Sequence, residues 1–425
     1  MNRVVVTGLG VVAPNGIGIK DFTQALKKGL SGIRHQEQLQ QLQFSCQIAG
    51  QPQITADLKS QYFTELELRA FNSTGILYGV IAGIEAWENA GLHGEVTEEP
   101  DYDSGTIFGA GTSGIDKFRE SIYKIDDLQT RRLGSTVVAQ TMNSGISAYL
   151  GGKLGLGNQV TTNSSACATG TEAILMAYDR IRSGKAKRIL AGSTSDSGPY
   201  IWAGFDALRV CNSKSNDDPE QGSRPMSATA SGFVPGSGAG ALVIEELQSA
   251  LQRGATIYAE ILGGQVNSGG QRGTGSMTAP NSIAVQRCIT DALKNSGIEA
   301  SAVDAINGHL TATSKDSLEI ENWTKALNRH HDDFPYINSL KSMTGHCLSA
   351  AGSIESVATV LQIHHGFLFG NTNCTDLNPE IASLIHPSKI PLQTTNINLN
   401  IIAKASFGFG DVNACLIFKK YDEVK

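Results

Sequence analysis

The chain repeats one order of elements, in which an apolar strand is followed by a glycine-rich loop and an amphipathic helix. Residues 4–6 begin one buried strand, and residues 106–108 form a second that also runs into glycines. Residues 73–92 carry apolar side chains around most of a helical surface, which predicts a helix inside the fold. The order restarts in the second part of the chain. This repetition predicts a tandem α/β duplication with halves at 1–251 and 252–425.

Three stretches depart from this order. Gly8 and Gly10 follow the first strand, but no third glycine stands three residues later, and Pro14 occupies the start expected for a phosphate-binding helix. The two glycines therefore predict a tight turn and not a dinucleotide site. The polar, glutamine-rich segment 33–60 predicts a surface excursion, and segment 117–140 predicts a mobile or interface segment.

Composition excludes several classes of partner. Lys and Arg number 34 against 40 Asp and Glu, a net charge of −6, so the chain as a whole does not attract nucleic acid or anionic lipid. A charged partner must therefore meet a local basic patch. Charged residues make up only 17% of the chain and glycines number 47, which is typical of a compact enzyme with many tight turns.

The cysteines indicate a reducing compartment. Seven are scattered along the chain, an odd number without a CxxC pair, which argues against a disulfide framework and against a zinc cage. No apolar run reaches the roughly 18 residues that a membrane span needs. The strand pattern begins at Val4 and leaves no room for a signal peptide. We therefore expect a cytoplasmic protein with no metal site and no membrane contact.

Cys167 stands where a strand pattern changes to a helix pattern. Residues 160–162 predict a short strand, residues 163–170 are mostly small, and apolar positions recur at helical spacing from Ile174 to Ile181. The positive end of the helix dipole favours the thiolate of such a cysteine, and nearby backbone N–H groups can hold an oxyanion. A lone cysteine is more often an inert core residue, so other residues must decide between these interpretations.

Further stretches carry side chains suited to chemistry with Cys167. His309 follows a predicted strand, and His346 follows another. A thiolate can take an acyl group from a thioester, because the two thiols are comparable leaving groups. Two neutral imidazoles can then donate hydrogen bonds to the enolate that forms when a malonyl thioester loses carbon dioxide.

These stretches resemble the Cys-His-His signature of the β-ketoacyl-acyl carrier protein synthases, elongating condensing enzymes of the thiolase superfamily. The motifs that carry the resemblance are SACATG at 165–170, HLTAT at 309–313, KSMTGH at 341–346 and FGFG at 407–410. They occur in the family order, and the resemblance covers essentially the whole chain. It implies an α/β, thiolase-like fold with duplicated mixed-sheet halves in a five-layer αβαβα arrangement.

The resemblance also implies the roles of the reacting groups. Cys167 corresponds to the nucleophile that accepts the acyl group, and its N–H would form the oxyanion hole with that of Phe409. His309 and His346 correspond to the pair that drives malonyl decarboxylation. The substrates are carried on the phosphopantetheine arm of acyl carrier protein, so no further cofactor is implied.

Other positions are implied to support the site or to bind substrate. Lys341 corresponds to a structural and electrostatic lysine, with Glu355 as its expected ion-pair partner. Phe409 corresponds to a gate that swings between flanking glycines. The implied substrate-binding positions are Thr311 and Thr313 at the phosphopantetheine arm, Thr112 and Phe205 along the acyl tunnel, and Phe407. The family also implies a two-fold dimer with the tunnel near its interface.

The chain departs from the family pattern in ways that affect the tunnel and the gate. Leu310 follows the first histidine where a small residue is usual, Asp411 adds a carboxylate after the gate, and Thr112 replaces an aliphatic pocket residue. Two interpretations therefore remain. One is a fatty-acid enzyme that acts as a homodimer, and the other is a specialised type II polyketide or aryl polyene ketosynthase paired with a non-catalytic chain-length subunit.

Other functional classes fit less well. A non-catalytic partner subunit does not need the intact Cys167, His309 and His346. A degradative thiolase carries a Cys-x-Gly near its C-terminus, whereas Cys415 here lies in a predicted strand. The carrier protein is acidic, so we expect a basic docking patch, and the candidates are Lys185, Lys187, Arg188, Arg131, Arg132 and Arg209.

Overall fold

The computed structural model describes residues 1–94 and 97–422. Within these residues the strands are Val4–Ala13 (β1), Gly16–Ile17 (β2), Ile33–His35 (β3), Ile48–Gly50 (β4), Ser104–Ala110 (β5), Val160–Thr161 (β6), Arg188–Ser195 (β7), Gly238–Glu246 (β8), Ala259–Ser268 (β9), Ala305–Asn307 (β10), Tyr336–Asn338 (β11), Phe367–Leu368 (β12), Thr395–Asn396 (β13), Ile401–Gly408 (β14) and Val412–Lys419 (β15).

Helices alternate with these strands, and local sequence explains several of their ends. The α-helices are Ile19–Lys28 (α1), Glu37–Gln41 (α2), Ala56–Tyr62 (α3), Glu65–Ala70 (α4), Thr74–Asn89 (α5), Ile115–Asp126 (α6), Val137–Thr141 (α7), Gly145–Leu154 (α8), Thr169–Arg182 (α9), Pro199–Ala207 (α10), Leu247–Gln252 (α11), Ser282–Ser296 (α12), Asp316–Leu327 (α13), Lys341–Thr344 (α14), Ala351–His365 (α15) and Pro379–Leu384 (α16). Helix α5 begins at Ser73, whose hydroxyl accepts from the Ile76 N–H, and helix α15 ends at Gly366 in the left-handed conformation.

One mixed sheet runs through both parts of the chain. Its strand order is β11-β10-β14-β15-β9-β1-β8-β7-β5-β6, and β2 pairs with β1. Strand β1 pairs antiparallel with β8 along most of its length, and it pairs with β9 through residues 4–6. The first strand of the sequence therefore joins the two parts of the sheet.

Helices cover the sheet on its outer faces and fill the space between its two parts. Helices α5 and α8 pack on the N-terminal strands, and α12 and α13 pack on the C-terminal strands. Helices α9 and α15 pack against each other and against strands of both parts, in the largest apolar core. The fold is therefore the mixed α/β, thiolase-like arrangement in five layers that the resemblance implied. The predicted boundary at residue 251 falls in α11, and the division into halves stays a prediction.

Within residues 1–94 and 97–422, no helix is both long enough and apolar enough to cross a membrane.

The sequence predicted a tight turn at the two glycines near the N-terminus, but they do not form one. Gly8 and Gly10 lie inside β1, where helix α5 crosses the strand at very short range. A Cβ on Gly8 would lie 2.1 Å from the Ala86 carbonyl oxygen, and one on Gly10 would lie 2.0 Å from that of Ala82. Glycine is needed there because the helix backbone occupies the space of a side chain.

Segment 33–60 is not a surface excursion. Strands β3 and β4 form a hairpin, and Ile33 and Ile48 are fully buried in an apolar cluster with Trp202 and Phe233. The glutamines occupy the exposed face, which hid the buried positions from the sequence pattern. Segment 117–140 is largely helical, with α6 and α7 joined by a short 3-10 turn.

The two central helices approach closely at a pair of glycines. A Cβ on Gly170 of α9 would lie 2.4 Å from the Ser353 amide nitrogen, and one on Gly352 of α15 would lie 2.6 Å from that of Thr171. Because these contacts involve backbone atoms, no side-chain rotation relieves them. The small residues around Cys167 therefore serve the packing of α9 on α15.

Replacing Gly170 by alanine should lower the free energy of unfolding by about 1–3 kcal/mol, because the added methyl group forces α9 and α15 apart. The matched control is Gly152→Ala in α8, where a Cβ meets no atom within 4 Å and alanine is the better helix former. Urea unfolding followed by circular dichroism measures both variants. Equal stability of Gly170→Ala and the unchanged protein contradicts the close packing described here.

Candidate active site

Cys167 lies in a single 3-10 turn, Ala166–Ala168, immediately before α9. Ala166 adopts φ +49, a left-handed conformation that is strained for a residue with a side chain. The Thr169 hydroxyl fixes the turn, because it donates to the Ala166 carbonyl and accepts from the Ser165 N–H. The turn presents the buried sulfur, with Cys167 8% exposed, to the end of a cavity.

The environment of the sulfur opposes the thiolate more than the sequence suggested. Burial raises the pKa of the Cys167 thiol, whereas the Phe409 N–H, the charge of Lys341 and the Cys167 N–H act in the lowering direction. The dipole argument predicted a thiol pKa below its ordinary value. In the structure the pKa of the thiol is raised instead. Desolvation is the largest influence on the thiol because the sulfur is withdrawn from water.

His346 follows helix α14 and reaches the sulfur. Its Nε2 atom lies 3.1 Å from the Cys167 Sγ. The Leu348 N–H donates to Nδ1 at 3.2 Å, so the proton of a neutral imidazole is on Nε2 and points at the sulfur. Burial, followed by the charges of Lys341 and Lys404, lowers the pKa of His346 well below its ordinary value. The imidazole is therefore neutral at neutral pH.

His309 follows β10 and completes the group. Its ring centroid lies 5.3 Å from that of His346 and 6.3 Å from that of Phe407. Burial lowers the pKa of His309 well below its ordinary value, and the charge of Lys341 acts in the same direction. The structure therefore brings Cys167, His309 and His346 together as one buried group with two neutral imidazoles.

The same three side chains have the donor atoms of a soft-metal site. Their ligand atoms all lie within 4.8 Å of one another. The charges of Lys341 and Lys404, which act on both histidines, oppose the binding of a cation there. The absence of a resident metal stays a prediction.

Lys341 does not contact the sulfur but forms an ion pair with Glu355, as the resemblance implied. Both side chains are buried. Lys404, which the sequence analysis did not single out, lies 2.6 Å from the other carboxylate oxygen of Glu355. One carboxylate therefore lies between two buried ammonium groups behind the histidines.

A cavity of about 470 Å³ leads from the surface to Cys167. Its lining includes predicted site residues from both parts of the chain: Cys167, Phe205, His309, Thr311, Thr313, His346, Phe407 and Phe409. Thr112 is exposed and lies outside this lining. Its place on the acyl tunnel stays a prediction, because the resemblance puts the tunnel near a dimer interface.

Family models agree with the order of motifs. The model described as beta-ketoacyl synthase, N-terminal domain, matches residues 1–250, and the model of the C-terminal domain matches residues 258–375. The chain belongs to the β-ketoacyl synthase family.

The synthase is similar to characterised proteins over its whole length. It is 33% identical over 423 residues to the chloroplastic 3-oxoacyl-[acyl-carrier-protein] synthase I of Arabidopsis thaliana, covering 99% of this chain and 87% of that protein. The crystal structure of a beta-ketoacyl synthase from Burkholderia phymatum matches with a TM-score of 0.89 at 29% identity, covering 99% of this chain and 100% of that chain. A structure of a type II polyketide-synthase acyl-carrier protein in complex with its ketosynthase bound to the hexaketide matches with a TM-score of 0.86 at 28% identity, with the same coverage.

The gate loop of the synthase is tied to a neighbouring loop by Asp411. Phe409 lies beside Phe205, with ring centroids 6.0 Å apart. Asp411 is buried, and its carboxylate accepts from the Gln271 N–H at 3.0 Å and the Asn281 N–H at 2.8 Å. The carboxylate that the sequence placed beside the gate thus binds backbone N–H groups of the loop between β9 and α12.

Most of the predicted basic patch lies far from the mouth of the cavity. Lys187 and Arg188 stand at the N-terminal end of β7 and pair with acidic side chains there, whereas the opposite end of β7 faces the site. Arg209 does line the mouth, together with Lys315, and both are exposed. The other candidates, Lys185, Arg131 and Arg132, do not line the cavity.

Sequence reasoning missed the carboxylates that shape the His309 loop of the synthase. Glu319 accepts from the His309 and Leu310 N–H groups, both at 2.7 Å, and Asp316 accepts from the Thr311 N–H at 2.9 Å. Burial raises the pKa of Asp316 to about 6 and that of Glu319 to about 7. Acidic residues in the first turn of a helix directly after the histidine motif were the signal that could have found them.

Proposed function

We propose that this chain is a 3-oxoacyl-acyl carrier protein synthase that extends acyl chains by two carbons in fatty acid biosynthesis. The observation that carries the proposal is the buried group of Cys167, His309 and His346 at the end of one cavity. A sulfur nucleophile beside two neutral hydrogen-bond donors suits acyl transfer followed by decarboxylative condensation. Membership of the β-ketoacyl synthase family and the name of the Arabidopsis relative support it.

In the first step the acyl group moves to the enzyme. The Cys167 thiolate attacks the carbonyl carbon of the acyl thioester, and the N–H groups of Cys167 and Phe409 hold the developing oxyanion, since both already act on the sulfur. The carbon–sulfur bond to the carrier breaks, and the carrier thiolate takes the proton that the cysteine released. The products are acyl-Cys167 and a free carrier thiol.

In the second step a malonyl thioester supplies two carbons. Its bond to the carboxylate carbon breaks, carbon dioxide leaves, and the electron pair forms an enolate whose oxygen accepts hydrogen bonds from the N–H groups of His309 and His346. The enolate carbon attacks the carbonyl carbon of acyl-Cys167, and the thiolate of Cys167 leaves. Because each imidazole is neutral, it carries one N–H group, and it donates that group to the enolate oxygen.

Substrate contacts follow from the lining of the cavity. Thr311 and Thr313 lie along it with hydroxyl groups 3.1 Å apart, which suits the amides of a phosphopantetheine arm. Phe205, Phe407 and Phe409 supply apolar surface, which suits an acyl chain. No cofactor beyond the carrier-bound substrates enters the proposal.

A specialised type II polyketide or polyene ketosynthase is the second candidate. The structural match to a ketosynthase in complex with a type II polyketide carrier protein favours it, as do Asp411 and Leu310 beside the gate and the first histidine. Intact-mass analysis of the carrier protein, after incubation with malonyl carrier and acyl carriers of different lengths, distinguishes the two. A single two-carbon addition supports fatty acid elongation, and repeated addition of unreduced units supports the alternative.

The proposed partner is an acidic acyl carrier protein that docks at the mouth of the cavity. Arg209 and Lys315 both line this cavity and are exposed. Their positive charges favour an acidic partner even though the chain carries a net charge of −6.

All seven cysteines are unpaired and buried, which supports the expected cytoplasmic location.

Replacing Cys167 by alanine should abolish transfer of a radiolabelled acyl group from carrier protein to the enzyme, because the nucleophile is lost. The matched control is Cys374→Ala, since Cys374 is another buried free thiol outside the cavity lining. Gel autoradiography measures both variants. Continued labelling of the Cys167→Ala protein refutes the proposed nucleophile.

Replacing Arg209 by glutamate should raise the KM for carrier-bound substrates several-fold and leave the rate with small N-acetylcysteamine thioesters unchanged, because only the docking charge is lost. Lys187→Glu is the control, as Lys187 is exposed at the far end of β7 and lies outside the cavity lining. Steady-state kinetics at low and high salt measure the effect. A KM that is equal in both variants contradicts docking at this mouth.

We also propose that the chain forms a homodimer. Helix α6 and the turn after it expose large apolar side chains: Phe118, Ile122, Tyr123, Ile125 and Leu128. Strand β6 ends the sheet on the same part of the chain. A second copy would cover these groups and the loop of Thr112, and a chain-length-factor-like subunit is the alternative occupant. Sedimentation velocity of the purified chain at micromolar concentration should show a dimer, and a monomer refutes the homodimer.

A further inference from the structure

Lys404 is a fully buried lysine behind the candidate site, and the reaction proposed above does not use it. It lies in β14, where alternate residues face opposite layers. Ala403 and Ala405 pack into the C-terminal core, whereas Lys404 and Ser406 contact groups on the central helices. A lysine at such a position loses its hydration, so its contacts must compensate for the charge.

Its contacts connect three parts of the site. The Nζ atom of Lys404 forms a close ion pair with Glu355 Oε2 at 2.6 Å, without the alignment of a hydrogen bond. It donates to the Ser406 hydroxyl at 2.9 Å, and that hydroxyl lies 2.9 Å from the hydroxyl of Thr171. Thr171 is in the first turn of α9, directly after the nucleophile turn. Lys404 therefore joins the gate strand, helix α15 and the nucleophile helix.

The charges of this cluster do not cancel. Lys341 and Lys404 share the single carboxylate of Glu355, so these three groups together carry one surplus positive charge when all are ionised, and the charge of Glu319 also acts on Lys404. At the sulfur, the charge of Lys341 lowers the pKa of the Cys167 thiol and that of Glu355 raises it. The two charges of that pair act in opposite directions at the sulfur, and Lys404 adds a second positive charge beside the same carboxylate.

We propose that Lys404 is a positioning residue whose ammonium charge stabilises the anions of the reaction, the Cys167 thiolate and the enolate. Because the cluster is buried, solvent screens its field only weakly. The inference rests on the role proposed for Cys167. The titratable groups around the sulfur and Lys404 are His309 after β10, Glu319 in α13, Lys341 in α14, His346 after α14, Glu355 in α15 and Lys404 itself in β14.

The test is the pH dependence of Cys167 alkylation by iodoacetamide, followed by mass spectrometry of the peptide that contains Cys167. In Lys404→Met the midpoint should move to higher pH by about 0.5–1 unit, as expected for loss of one weakly screened charge. The kcat of condensation should fall several-fold with little change in KM for the carrier substrate. Lys420→Met, a partly exposed lysine near the C-terminus, should leave the midpoint in place.

A double variant separates charge from packing. Lys404→Met combined with Glu355→Gln leaves Lys341 as one surplus positive charge, so the alkylation midpoint should return close to that of the unchanged protein. A purely structural role predicts no such return, because the double variant loses more contacts than the single one. Superimposable profiles of Lys404→Met and the unchanged protein, or a double variant that stays shifted, would overturn the proposal.

A measurement on the unchanged protein applies even where the variants do not fold. Burial lowers the pKa of Lys404 and Glu355 opposes this, so the proposal requires the ammonium form at neutral pH. Nitrogen NMR of lysine-labelled protein should show a charged Nζ for Lys404, and a neutral amine refutes the proposal. Alkylation and NMR do not require turnover. They can therefore refute the role of Lys404 while condensation by Cys167 persists, and they can support that role in a protein that does not catalyse condensation.

Discussion

The close contact between helices α9 and α15 is the constraint on which the candidate chemistry depends. The turn immediately before helix α9 carries Cys167, and the segment that leads into α15 carries His346. Because Gly170 and Gly352 let the two backbones meet, Nε2 lies 3.1 Å from the sulfur. A single methyl group at this crossing would displace both elements together. The nucleophile and its hydrogen-bond donor are thus positioned by main-chain packing and not by side-chain flexibility.

Burial of the site away from water is the second constraint, and it affects the histidines and the cysteine in opposite ways. Burial lowers the pKa values of both histidines, which keeps them neutral, but it also raises the pKa of the Cys167 thiol. A site that needs neutral imidazoles and a thiolate therefore needs positive charge close by that is not exposed to water. The Lys341–Glu355–Lys404 cluster meets that need, because it lies behind the histidines and is anchored in three different elements.

Several interpretations of the sequence were wrong for one shared reason. Each explained a residue or a segment by its neighbours along the chain. Gly8 and Gly10 follow a strand pattern, yet they are small because α5 crosses the strand. Segment 33–60 has a polar composition, yet five of its buried side chains belong to one apolar cluster: Ile33, Leu39, Cys46, Ile48 and Ala49. Lys187 and Arg188 are adjacent basic residues, yet β7 carries them away from the cavity mouth. Contacts between distant segments decide each case.

The sequence by itself determined the repeated α/β order and the family. It also singled out Cys167, His309 and His346 as the candidate reacting groups. It could do so because motifs and hydrophobic periodicity are local properties of the chain. Only the tertiary structure decided that burial raises the pKa of the thiol, that Asp411 binds the loop between β9 and α12, and that Lys404 shares the carboxylate of Glu355. Lys404 is 49 residues from Glu355 in the sequence, and desolvation and charge depend on distance in space, which only the packed strands and helices set.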